Sequence, residues 1–317
     1  MRSYSPLLAL VLASRCLAAD VPSNVQSFYD GIKSAGSCSN KLSEGFYAHD
    51  DGPNTFSYCG DHLDDYQVIY LQGTGGAMAD MDIDCDGVQH GKGDDGRCGS
   101  SGDTQSQTSF EDTVASYNKG VKDLNAFVHP YVVFGNVGSK GSFDPQSKGV
   151  EPLSLMAVVC GGKMFYGIWG DENGDDGPKA VIGEASISMA TFCFGNSVNG
   201  DSGHDETDVL YVAFTGKDAV PGASAAWDAD SATDFESSIK SLGDKLIQRI
   251  GGGSGTPPSS SDPTPPATTL KTSTKSSSAG APTSTGNCSW PGHCAGATCS
   301  NENDCSDALV CKSGKCA

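Results

Sequence analysis

Twelve of the thirteen cysteines fall into two separate sets of six, and that division constrains the fold more than any other feature. Cys38, Cys59, Cys85, Cys98, Cys160 and Cys193 are spread through the main body, whereas Cys288, Cys294, Cys299, Cys305, Cys311 and Cys316 crowd the end. Both sets are even, which suits complete pairing within each set in an oxidising compartment. No C-x-x-C pair occurs, so zinc is not expected. Cys16 stands apart in a leader: Met1-Arg2 gives a positive start, residues 7–12 are apolar, and Ala18 and Ala19 are small. That layout predicts a signal peptide over 1–19, cleaved between Ala18 and Asp20, and hence a secreted, extracellular chain. The leader is too short to span a bilayer, and no later run is long enough, so no membrane partner is expected.

Between the two cysteine sets lies a stretch that nothing could bury. Residues 251–286 hold 17 Ser or Thr, 6 Pro and 6 Gly among 36 positions, which predicts a linker. As a flexible coil it would span about 33 Å. Residues 20–250 are long enough for one sizeable core. Residues 287–317 are too few for a core and must be held by disulfides, in a module with spacing C-x5-C-x4-C-x5-C-x5-C-x4-C. Six cysteines allow fifteen pairings, and spacing does not choose among them. Trp290 is this module's one aromatic platform for a sugar, and a knot that merely caps the chain is the alternative.

Apolar, β-branched and aromatic runs at 67–72, 131–135, 153–160, 164–169, 180–187 and 209–214 predict strands. Cys160-Gly161-Gly162-Lys163 joins two of them as a hairpin. Val25, Phe28, Tyr29 and Ile32 recur at helical spacing, as do Phe235, Ile239, Leu242, Leu246 and Ile250. The expected body is mainly β, barrel-like or a sandwich, with peripheral helices and a small disulfide-rich module behind it.

The formal net charge is −19, from 20 basic and 39 acidic residues. Nucleic-acid binding needs clustered Lys and Arg and is excluded, whereas an acidic surface gathers a cationic partner. Two acidic constellations stand out. In 79–86 strict alternation turns Asp80, Asp82, Asp84 and Asp86 to one strand face, where a cation would neutralise them. Asp82-x-Asp84-x-Asp86-Gly87 imitates the opening of an EF-hand loop, but position 93 is Gly where that loop needs Glu. An acidic substrate-binding surface is therefore the expectation, with no metal. In the second constellation, alternation places Asp171 on the face of Trp169 and Phe165, and Glu184 on that of Ala180, Ile182 and Ser186. Apolar neighbours would raise the pKa of Glu184, and a wet turn would leave Asp171 ionised, the asymmetry that a general acid and a general base require. Trp169 would offer a flat face to a sugar ring. Paired structural carboxylates are the competing account.

The body resembles the fungal chitosanases of glycoside hydrolase family 75. The resemblance is carried by Phe56-Ser57-Tyr58-Cys59-Gly60-Asp61, Met81-Asp82-Ile83-Asp84-Cys85-Asp86-Gly87, His129-Pro130-Tyr131-Val132-Val133-Phe134-Gly135-Asn136, Leu155-Met156-Ala157-Val158-Val159-Cys160, Tyr166-Gly167-Ile168-Trp169-Gly170-Asp171, Gly183-Glu184-Ala185-Ser186-Ile187-Ser188 and Gly203-His204-Asp205. It implies endo-hydrolysis of β-1,4 glucosamine chains with inversion, with the essential Asp at Asp171, the essential Glu at Glu184 and no cofactor. Glu172 departs from the neutral residue expected there. The end module is similar to a small cysteine repeat attached to some fungal chitosanases. A monomer acting on chitosan is the expectation, and a non-catalytic wall-binding or wall-loosening protein is the alternative.

Overall fold

The computed structural model describes residues 19–49, 51–102, 104–174, 179–252, 311–312 and 315–316. The predicted leader up to residue 18, almost all of the linker, and Trp290 with most of the end module lie outside the described residues. The chain divides into two compact units, Met1–Ser259 and Ser260–Ala317.

The first unit is mainly β. Its strands are β1 (Ala19–Asp20), β2 (Lys41–Phe46), β3 (Phe56–Cys59), β4 (Val68–Gln72), β5 (Ala79–Asp84), β6 (Tyr131–Asn136), β7 (Leu155–Cys160), β8 (Lys163–Asn173), β9 (Glu184–Ser186) and β10 (His204–Phe214). They join in the order β1-β8-β6-β9-β5-β10-β4-β3-β2, and β7 pairs with both β10 and β8. The pairings therefore return on themselves through β8, β6, β9, β5, β10 and β7. The turn between β7 and β8 is the hairpin expected from Gly161-Gly162: both glycines have positive φ, 55° and 73°, as a two-residue turn of matching twist requires.

Among the described residues four α-helices pack around this sheet: α1 (Ser23–Ala35), α2 (Glu111–Ser116), α3 (Ile187–Phe194) and α4 (Ala232–Leu246). α1 buries Val25, Phe28 and Ile32 from one stripe. α4 buries Phe235, Ile239, Gly243 and Leu246, and the Ser231 hydroxyl caps it by accepting from the Asp234 amide. α4 lies on β7 and β8, where Gly243 lets the helix close on the Tyr166 ring. The helical pattern expected to run to Ile250 ends in a short 3-10 turn, Ile247–Arg249, with Ile250 still buried.

The strand expected over 180–187 is only three residues long. Ser186 turns it into α3, its hydroxyl accepting from the Met189 amide, so Ile187 opens a helix. Six of the eight side chains in Ile187–Phe194 are apolar, which hides helical periodicity behind a strand-like composition.

Three disulfides join Cys38 to Cys59, Cys85 to Cys98, and Cys160 to Cys193. In the second unit, β11 (Cys311–Lys312) pairs antiparallel with β12 (Lys315–Cys316), and Cys316 is disulfide-bonded.

Candidate active site

The central strand of the site is only three residues long. β9 lies between β5, to which it runs parallel, and β6, to which it runs antiparallel. Glu184 pairs with Asp82 on one side and with Val133 on the other, and Val133 in turn pairs with Asp171 on β8. Asp82, Glu184, Val133 and Asp171 thus form one row across four strands. Asp171 and Glu184 are not on adjacent strands: β6 separates them, which sets their Cα atoms at two strand spacings, about 9.5 Å.

A register shift brings Asp171 into this row. Val132 pairs with Trp169 but Val133 pairs with Asp171, so Gly170 is an extra residue in β8. This bulge reverses the alternation and puts Asp171 and Trp169 on opposite faces. The expectation that they share a face is corrected, and so is the sugar platform. Trp169 is 0% exposed, its indole N–H donates to the Asp171 carbonyl at 2.9 Å, and Phe110 meets it edge-on.

The row opens into a cleft of about 530 Å³. Asp82, Asp84, Asp86, Asp171, Glu172, Glu184, Asp201 and Asp205 line it, against Lys179 as its one amine and His49 as its one imidazole among the described residues. No Trp, Tyr or Phe lines it among those residues, so its character is charge and hydrogen bonding.

Of the four aspartates in the alternating run, three reach the cleft. Asp80 is corrected: it is 1% exposed, lies outside the cleft lining, and its Oδ1 has no hydrogen-bond partner. Burial pushes its carboxyl up to about 9, with Asp82, Asp205 and Glu184 adding to the rise. Asp84 sits deep in the floor, and burial followed by the charges of Glu184, Asp171 and Asp86 holds its carboxyl well above the ordinary range. Asp84, Asp86 and Asp171 each present an oxygen within 4.8 Å of the others, an array that could hold a cation. The segment is a strand running into a turn, not the helix–loop–helix of an EF-hand.

Asp171 is buried rather than set in the wet turn expected of it. Burial raises its pKa, opposed by hydrogen bonds from Ser109 and from the Glu172 amide. The Ser109 amide, the Ser109 hydroxyl and the Glu172 amide all donate to Oδ1, at 2.9, 2.5 and 2.8 Å. Glu172 lies in the same cleft, and burial, Asp144 and Asp171 push it up to about 7. Glu184 opens β9 half-buried, beside Asp82. His204, at the start of β10, is held between Asp208 at 2.8 Å and Glu206 at 3.2 Å, with Phe194 stacked on its ring.

Sequence reasoning missed Ser109. It sits in a polar turn and reaches Asp171 across 62 residues, a relation that no local pattern signals.

Residues 81–249 match the model of the fungal chitosanases of glycosyl hydrolase group 75. An endo-chitosanase of Aspergillus oryzae is 48% identical over 251 residues, covering 77% of this chain and 97% of that protein. Endo-chitosanase B of the same organism is 46% identical over 246 residues, and an endo-chitosanase of Aspergillus fumigatus is 45% identical over 245, each again covering 77% of this chain and 97% of the relative.

Proposed function

This chain belongs to the fungal chitosanases of glycosyl hydrolase group 75, and from that membership and the geometry of the cleft we infer that it is an endo-acting, inverting glycoside hydrolase that cuts β-1,4 glucosamine linkages in chitosan. One observation carries the reading: the row Asp82–Glu184–Val133–Asp171, which supports two carboxyl groups facing one cleft from strands two places apart. Inverting glycosidases separate their carboxyl groups by about 6.5–9.5 Å, leaving room for a water. Two strand spacings are compatible with that interval.

Glu184 is the general acid and Asp171 the general base. The Glu184 carboxyl gives its proton to the glycosidic oxygen as the bond to the anomeric carbon breaks. Asp171 takes a proton from the water that attacks the opposite face, and the new hydroxyl is inverted. Burial makes Asp171 a stronger base, and its three donors favour its ionised form. Glucosamine lacks the acetamide that could assist hydrolysis from the substrate, so the protein supplies both groups.

The acidic cleft suits a polymer of ammonium groups. Asp82 and Asp86 face its amines from the cleft lining, above Asp84, whose carboxyl is held well above the ordinary range by burial and then by the charges of Glu184, Asp171 and Asp86. The ring of pairings through β8, β6, β9, β5, β10 and β7 is read as a closed barrel with the cleft over β5, β9 and β8. Three disulfides fit an extracellular destination. No helix among the described residues is long and apolar enough to cross a membrane. The protein acts as a secreted monomer, with Trp290 of the end module as a contact for polysaccharide.

Glu184→Gln and Asp171→Asn keep shape and delete only the proton chemistry. Each should reduce the release of reducing ends from soluble chitosan by about 10²–10⁴-fold, with the melting temperature kept near wild type. If either variant retains a third of the wild-type rate, the residue it replaces is neither the acid nor the base.

A further inference from the structure

Ser109 is anchored independently of the carboxylate it touches. The residue before it, Thr108, donates its amide and its hydroxyl to the two oxygens of Asp123, at 2.8 and 2.5 Å. Four residues before Ser109, the Gln105 amide donates to Asp86 Oδ1 at 2.6 Å. The segment is therefore pinned to two other carboxylates and presents Ser109 to Asp171 from a fixed position. Both Ser109 donors meet Oδ1, and so does the Glu172 amide; none of the three reaches Oδ2. A carboxylate held by three donors on one oxygen has its rotation fixed, and the second oxygen then points in one direction.

We propose that Ser109 is a positioning residue for the hydrolysis: by clamping Oδ1 of Asp171 it aims Oδ2 at the attacking water. The proposal rests on the reading of Asp171 as general base. A misaimed base loses rate because the reacting atoms must meet in a narrow geometry. The hydroxyl has a second effect, because a hydrogen bond to the charged form holds the base ionised against the pull of burial.

Ser109→Ala keeps the main-chain donor and removes only the hydroxyl. In the full chain on soluble chitosan it should lower kcat about tenfold, the scale of one hydrogen bond to a charged group. KM should stay within about twofold, since the interaction is proposed to act in the chemical step. The acid limb of the kcat profile should move up by about one pH unit, because losing a donor to a carboxylate raises its pKa. Titration of the substrate amines is common to both enzymes and cancels in the comparison. Ser109→Thr should restore most of kcat and return the limb. An unchanged kcat and limb would overturn the proposal. So would a loss that follows the melting temperature, leaves the limb in place and resists rescue by Thr. Asp171→Asn measured alongside separates the two readings. If it stays active, the assignment of Asp171 as base falls; if it is inactive while Ser109→Ala behaves as wild type, only the role of Ser109 falls.

Discussion

At the scale of single residues, the charge that leaves the cleft is as informative as the charges that line it. Asp80 is buried without a partner for Oδ1 and titrates at about 9, whereas in an unfolded chain such a group titrates near 3.9, roughly five units lower. The native state therefore binds more protons across that window. The stability contributed by Asp80 is fully present below about pH 4 and is lost as the pH rises through about 9. Asp80→Asn removes the dependence, so its melting temperature should match wild type near pH 4 and exceed it at pH 8 to 9. A variant that is least stable relative to wild type at high pH would reveal an ionised, paired Asp80. The sequence was legible at this scale where chemistry follows from residue type: the carboxyl groups of Asp82, Asp84, Asp86, Asp171 and Glu184 all reach one cleft. It was not legible where burial decides. Asp80 and Asp82 look alike in an alternating run, and only the neighbouring strands bury one and open the other.

At the scale of elements, two irregularities build the site, and neither has a strong local signature. The bulge at Gly170 moves Asp171 to the face opposite Trp169, so a reading by strict alternation inverts both residues. The break of β9 into α3 at Ser186 shortens a strand that composition extends. The hairpin at Gly161-Gly162 and the stripes of α1 and α4 were legible because turn chemistry and helical periodicity are local. Gly183 shows how tightly the short strand is fitted. Its φ is 94°, and a Cβ there would collide with Asp80 Oδ1 and stand 3.2 Å from the Asp80 carbonyl oxygen. Its carbonyl accepts from the Asp82 amide at 2.9 Å, one residue before Glu184. Gly183→Ala should therefore cost about 1–3 kcal/mol of stability, the scale of a strained backbone position. It should also lower kcat on soluble chitosan by displacing Glu184. Thermal melts and kinetics that both match wild type would show that β9 tolerates the change.

At the scale of the whole molecule, the relatives named endo-chitosanase are matched over 97% of their own length by 77% of this chain. The remainder of this chain is outside the match, which supports activity residing in the body. The body should be kept through Gly252, because Ile250 is buried and Asn24 donates to the carbonyls of Ile247 and Ile250, at 2.7 and 3.0 Å. A chain ending at Gly252 should hydrolyse soluble chitosan at close to the full rate and lose adsorption to, and hydrolysis of, the insoluble polymer. A tethered binder raises the local concentration of the body at a surface without touching its chemistry. Trp290→Ala should reproduce the effect on solid substrate alone; equal loss on both substrates would assign the tail to stability instead. The short strand β9 has a further consequence, for the order in which the molecule assembles. Glu184 meets Asp82 across roughly a hundred residues of chain, and contacts so distant in sequence form slowly. The three disulfides described in the first unit close separations of 21, 13 and 33 residues, and none of them encloses that pairing. None of these crosslinks ties the two sides of the cleft together covalently, so the seam that β9 closes is held by main-chain pairing and packing alone.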